Sequence, residues 1–330
     1  MRFGRYYSIL LLISILMQMF FFVASSDQAL YEDCQFQEIF LNSLSNFVLL
    51  NKSFKDSYVH IINCSNFVIA NCTFVNTTLR IEIKPGQVCR NFTIEGNFFV
   101  NGSLLILFGC VEMHGISNFT IKNNLLLKSV KIGVAFADDG VIRNNTILNS
   151  DHGIATRNVL NLSIEGNIIK NCSGYGIYLG TQLGDPGTFN VTISNNFLVR
   201  NNIGIARYYG SNPISNVQVE NNTFLNSSSF DIKADFPAIF AHNTVTSRWK
   251  IEVVEETTSF IGNVDLNGTP VQPCDVNFDL RVDMKDLGVI CKALGITSEP
   301  GNRNEIYDIV HNGKVDMKDI GYVCKHYFVI

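Results

Sequence analysis

Between Asn66 and Val245 apolar and polar residues alternate in short bursts, and the bursts recur. Seven segments share one plan: Asn, then apolar–polar–apolar, two polar residues, Asn, and another apolar run. They read NFVIANCTF from Asn66, NFTIEGNFF from Asn91, NFTIKNNLL from Asn118, DGVIRNNTI from Asp139, NLSIEGNII from Asn161, NVTISNNFL from Asn190 and NVQVENNTF from Asn216. A weaker copy, FPAIFAHNTV, begins at Phe236. The Asn inside each copy, or the residue standing in for it, falls at Cys72, Asn97, Asn124, Asn145, Asn167, Asn196, Asn222 and Asn243, 21 to 29 residues apart. Recurrence with periods in this range predicts a solenoid.

The bursts are three to five residues long, alternate with period two and are rich in Ile, Val, Phe and Thr, which predicts strands. No helical spacing of apolar residues accompanies them, and no leucine-rich repeat pattern recurs. The remaining solution is a coil in which each repeat forms one turn of parallel strands and adjacent turns pair about 4.8 Å apart. Asn at the tight turn tolerates left-handed dihedrals and can bond to its counterpart one turn on, forming a ladder. Later copies add Gly153–Ile154, Gly176–Ile177 and Gly204–Ile205, expected at a bend before a third short strand. Open sheet edges at the coil's ends need covering. Asp27–Leu44 and Thr244–Val264, the latter holding Trp249, are the expected caps. These residues resemble the right-handed parallel β-helix repeat shared by pectate lyases, polygalacturonases and periplasmic copper-binding β-helix proteins. The resemblance covers about 180 residues and implies an all-β solenoid, without naming a chemistry.

Farther on, the period changes to a helical one and the chain repeats itself. Val282–Lys292 reads VDMKDLGVICK and Val315–Lys325 reads VDMKDIGYVCK. Helices are expected at about Met284–Leu294 and Met317–Tyr327. Each follows an acidic loop with the alternation of an EF-hand calcium loop, in which positions 1, 3, 5, 9 and 12 supply side-chain oxygens and position 7 a carbonyl. The first loop offers Asp275, Asn277, Asp279, Arg281, Asp283 and Asp286; the second offers Asp308, Asn312, Lys314, Asp316 and Asp319, with Val310 at a ligand position. Leu280 replaces the turn glycine of the first loop, whereas the second keeps Gly313. Duplication, ligand spacing and a loop-then-helix order resemble the type I dockerin. That resemblance implies a calcium-dependent module that docks onto a cohesin-like partner.

Other features place the chain. Arg2 and Arg5 precede an apolar run from Ile9 to Ala24, which reads as a secretory signal at 1–26, or as an anchor if it is not cleaved. The expected layout is therefore a signal at 1–26, a β-helix at 27–265, a linker at 266–273 and a dockerin-like module at 274–330. A secreted or cell-surface protein follows, touching the membrane only through an uncleaved signal. Net charge is −4, with no dense Lys/Arg cluster, which speaks against nucleic acid. Nine cysteines, an odd number without CxxC pairs, are expected mostly as buried free thiols: Cys34, Cys64, Cys72, Cys89, Cys110, Cys172, Cys274, Cys291 and Cys324. Fourteen Asn-X-Ser/Thr sequons, among them Asn51, Asn91, Asn118, Asn161, Asn190 and Asn267, arise largely from the repeat itself.

Two places in the coil could carry chemistry. Asp138–Asp139 with Asp151–His152–Gly153 resembles the paired aspartates and His–Gly of polygalacturonases, although the family's Asn–Thr–Asp and Arg–Ile–Lys elements are missing. The bland alternative is a turn-forming role. The insertion after Ile177 brings Asp185, and the next turn Arg207, Tyr208 and Tyr209, a set able to stack on sugar rings or merely to form a loop. Scattered histidines and the lack of a Met-rich tract disfavour copper. Two functions remain open: a protein that binds extracellular or cell-envelope carbohydrate, and a polysaccharide lyase or glycoside hydrolase acting on acidic polysaccharide.

Overall fold

The computed structural model describes residues 34–35, 38–101, 104–109, 115–181, 187–208, 213–253, 258–272, 274–276, 282–298, 307–310 and 312–327. All named strands pair in parallel, each with the strand one coil away. Three-residue strands such as Thr73–Val75, Phe98–Val100 and Thr146–Leu148 stack into an 11-stranded sheet, the short sheet. The other two runs of each coil share an 18-stranded sheet, the long sheet; Ile132–Arg143 and Ile154–Glu165 cross both runs without a break. The architecture is a parallel β-helix.

Alternation along each strand sends every second side chain inward, and the same residue type recurs there coil after coil. Phe47, Phe67, Phe92 and Phe119 stack at centroid distances of 4.9, 4.8 and 5.7 Å. Phe54, Phe74 and Phe99 form a second stack. Ile132, Ile154, Ile177, Ile205 and Ile232 continue as an aliphatic column, all fully buried.

The expected Asn ladder is present and extends one rung farther, from Cys72 through Asn243 to Asn263. At each Asn rung the side-chain oxygen accepts the backbone N–H of the preceding rung, as in Asn145 N to Asn167 Oδ1 at 2.9 Å. The amide nitrogen donates to an inner carbonyl, as from Asn167 to Ile142 O at 2.9 Å. Cys72 starts the series with a thiol that accepts from Lys52 N and donates to Ala70 O. The left-handed dihedrals, however, belong to the residue before each rung: Asn71, Gly96, Asn123, Asn144, Gly166, Asn195, Asn221, His242 and Gly262 all have positive φ. The rung Asn itself keeps ordinary backbone and spends its amide on the ladder.

Gly153 stands at a bend just before Ile154–Glu165, as expected, whereas Gly176 and Gly204 lie inside Tyr175–Gly180 and Ile203–Tyr208. A Cβ at Gly153 would lie 2.4 Å from the Gly176 carbonyl, and one at Gly176 2.7 Å from that of Gly204, so these positions let successive coils touch. Thr244–Val264 is no separate cap. Thr244–Val245 and Ile251–Val253 belong to the same coil as Ile239–Ala241, while Ser259–Ile261 and Val264–Asp265 continue in register into the next, and Trp249 lies exposed on a short 3₁₀ turn. At the other end Glu38–Asn42 pairs with Tyr58–Ile62 as an ordinary coil, while 27–33 lie outside the described residues.

Beyond Asp265 the chain folds back on the last coil: Val264 bridges Pro270, and Val271 N donates to Asn263 O at 2.7 Å. Two helices follow, α1 (Met284–Ala293) and α2 (Met317–Tyr327), close to the expected limits. Asp283 caps α1, accepting from Lys285 N, while Asp286 accepts from Asp283 N, completing a capping box. Asp316 and Asp319 repeat this at α2. Tyr322 of α2 is almost fully buried, its hydroxyl donating to Thr258 O of the coil at 3.4 Å. Arg248 donates to the Asp275 carbonyl. Cys64, Cys72, Cys89, Cys172 and Cys274 are buried free thiols, whereas the free thiols Cys291 and Cys324 are exposed and half-buried.

Candidate functional site

The register separates the two halves of the aspartate cluster. Asp138 pairs in register with Ser117 and Leu160 at the corner between the long sheet's two runs. Asp139, with φ of 51°, belongs to an exposed ladder in which Nδ2 of each Asn donates to Oδ1 one coil back: Asn91 to Asn66, Asn118 to Asn91, Asn161 to Asp139, Asn190 to Asn161 and Asn216 to Asn190. Asp139 therefore stands where other coils have Asn, accepting from Asn161 at 2.9 Å. Asp151 and His152 lie at another corner: Asp138 is in register with Leu160, eight residues beyond His152, and with the turn at Asn158 allowed for the separation is roughly 20 Å. Glycosidases hold their two carboxylates about 5–9.5 Å apart. Asp138 and Asp139 thus form no such pair with Asp151.

What the fold does assemble around Asp151 and His152 is an aromatic cluster. His152 sits one coil from Tyr175, stacked at 5.5 Å and 24°, and meets Tyr178 edge-on at 5.2 Å and 84°. Tyr175 and Tyr178 were not among the expected site residues. Aligning copies on their Gly–Ile pairs places His152 and Tyr175 in one column, the signal that would have found them. All three rings are half-buried on the outer face of the long sheet. Lys131 pairs with Asp151 at 3.4 Å, and Arg157 lies over the Phe136 ring at 5.0 Å nearby.

The electrostatics of this corner favour an ionised carboxylate beside a neutral imidazole. Asp151 Oδ1 accepts from His152 N at 2.8 Å and from Ser150 Oγ at 3.2 Å. Although burial opposes it, these bonds and Lys131 hold the carboxyl below its usual range. Burial lowers the His152 pKa in spite of Asp151, and its Nδ1 accepts Tyr175 N at 3.1 Å, so that nitrogen carries no proton. An ionised aspartate and a neutral imidazole leave neither group ready to protonate a leaving oxygen at neutral pH.

Asp185 and Tyr209 lie outside the described residues, as does the side chain of Tyr208. Arg207 aligns with buried Leu179 rather than with an outward position, and its guanidinium donates to Thr181 Oγ1 at 3.3 Å. Its backbone N–H donates to Asp235, whose carboxyl burial pushes up to about 6. Arg207 braces the coil from within.

In the C-terminal module Asn277, Asp279 and Arg281 lie outside the described residues. Asp275, Asp286, Asp308 and Asp319 are buried. In the second loop Asp308 accepts from Asn312 N at 3.0 Å and Gly313 N at 2.9 Å, and Gly313 takes φ of 90° at the turn. Burial raises the Asp319 pKa, and nearby Asp308 and Asp316 add to the rise. Among the described residues no three acidic, His or Cys side chains form a ready metal cage, since these carboxylates turn onto backbone amides instead. The loop's oxygen donors are of the hard kind that calcium takes, with Val310 standing where one more would be needed.

A model of the family described as "Right handed beta helix region" matches residues 130–257. Among solved structures the chain is similar to the Dettilon tailspike protein, at 15% identity and a TM-score of 0.44, over 71% of this chain and 54% of that one. It thus spans about half the length of the tailspike chain. No curated protein matches. Coil register and family model agree that the fold of this chain is a right-handed parallel β-helix.

Proposed function

We propose that this is an exported protein that binds extracellular or cell-envelope carbohydrate on its long sheet and is tethered through its C-terminal module to a cohesin-type partner. The observation that carries the reading is the His152–Tyr175–Tyr178 cluster, flanked by Lys131 and Asp151. Half-exposed rings on a rigid sheet stack on the apolar faces of sugars at little entropic cost, and flanking polar groups bond to hydroxyls. Binding is favoured over cleavage because Asp151 is the only carboxylate that the described residues place in this cluster. In the module, Asp308, Asn312, the Lys314 carbonyl, Asp316 and Asp319 would hold calcium. Bound there, the ion would neutralise clustered negative charge and fix the loop that presents α2.

A glycan array probed with the purified protein and with Tyr178→Ala tests this, alongside assays for new reducing ends and unsaturated products. Binding should weaken about tenfold or more in the variant, one stacked ring being worth about 1–3 kcal/mol on the scale of base stacking. No product should form. Product release abolished by Asp151→Ala would replace this reading with a polysaccharide lyase or hydrolase.

A further inference from the structure

The outer face of the short sheet has a composition that carbohydrate binding does not explain. In each three-residue strand the middle side chain is buried and the two flanking ones point outward. From Thr73–Val75 to Thr223–Leu225 the strands stack in unbroken register. The outward columns contain Phe98, Leu125, Ile168 and Phe197 on one side and Leu127 and Leu148 on the other, with Leu125 and Ile168 each 38% exposed. The one charged residue in these columns is Lys170, whose ammonium lies over the Phe197 ring at 5.1 Å. Polar turns border the stripe on both sides: Asn71, Asn123, Asn144 and Asn195 along one edge, and Asn76, Asn101, Asn149 and Asn171 along the other, where Lys128 and Arg200 take the same turn position. An apolar centre inside a polar rim is the anatomy of an interface.

We infer that this face is where a second copy of the chain packs, sheet against sheet. Six coil spacings of about 4.8 Å make the stripe roughly 29 Å long, and two side-chain columns make it roughly 12 Å wide. Adding the bordering turns gives roughly 700 Å² per copy, or about 1,400 Å² in all, within the range of specific interfaces. Identical spacing lets the side-chain rows of two copies interleave at the usual sheet separation of about 10 Å. A two-fold axis closes the pair and leaves the opposite faces of both copies open.

Sedimentation equilibrium on protein made without N-linked glycans tests this, because Asn71, Asn76, Asn101, Asn144 and Asn171 on the rim are all sequons. The weight-average mass should rise from one chain toward two with concentration. Leu125→Glu and Ile168→Glu should each hold it at one chain while melting cooperatively near the wild-type temperature. Ile239→Glu, on the exposed outer face of the long sheet, should leave the dimer intact. A wild-type protein that stays monomeric throughout, or a dimer lost in Ile239→Glu but kept in Leu125→Glu, would overturn the inference. Neither result depends on whether sugars bind at Tyr178.

Discussion

Adjacent residues at the inner turn divide two tasks that a single asparagine cannot perform together. Asn144 takes the left-handed dihedrals with φ of 54°, and Asn145, buried, carries the hydrogen bonds. Position decides the worth of an asparagine here more than its type. Asn167→Ala would remove the acceptor of Asn145 N and Nδ2 and the donor to Ile142 O, leaving several buried groups unpaired. At about 1–3 kcal/mol for each buried unsatisfied group, the expected loss is about 3–5 kcal/mol. Asn161→Ala, in the exposed ladder, should cost less than about 1 kcal/mol, since water replaces its partners. Urea unfolding of both variants checks the contrast. The rung positions were legible because the repeat spaced them. The division of labour was not, because Asn–Asn reads alike whichever residue turns. Asp139 was half legible: its repeat copy aligns it with Asn118, yet acidity drew it toward catalysis.

Within each element, what fills the interior is decided between coils rather than along the strand. The Phe47–Phe67–Phe92–Phe119 stack ends at Gly140, where a Cβ would lie 2.2 Å from Phe119 Cζ. Gly140→Ala should therefore force the last ring out of its stack and cost about 1–3 kcal/mol as overpacking. Paired with Phe119→Leu, which frees room beneath the position, the same alanine should cost measurably less. Thermal melts of the two singles and the double close this cycle. Period-two alternation made the strands legible, but not which columns meet. Gly153 shows why: its sequence suggested the bend it makes, but not the close approach of the Gly176 carbonyl that also demands a glycine there. Tyr175 and Tyr178 were hidden for the same reason, being distant from His152 in sequence and adjacent only across the coil spacing.

At the scale of the molecule, the C-terminal module bears on the coil. Tyr322 packs beneath the last coil against Thr258, and Arg248 of the coil before it holds the Asp275 carbonyl at the start of the first acidic loop. Burial lowers the Arg248 pKa, while Asp275, Cys274 and Asp286 oppose the fall, so the coil's cation lies in the field of the module's acids. An ion taken up by the module should then stabilise strands it never touches. A site filled at 100 times its dissociation constant adds about 2.7 kcal/mol to whatever unfolds with it. Solenoid coils transmit stability only to their neighbours, so this gain should fade toward the other end. Hydrogen exchange with and without calcium should show slowed amides in α2, in Ser259–Ile261 and in Ile239–Ala241, and little change near Phe67. In Tyr322→Ala, calorimetry should still find calcium uptake, but protection should be confined to the module. Slowing of the coil strands to the same degree in that variant would mean that the module and the coil's end are not coupled through Tyr322.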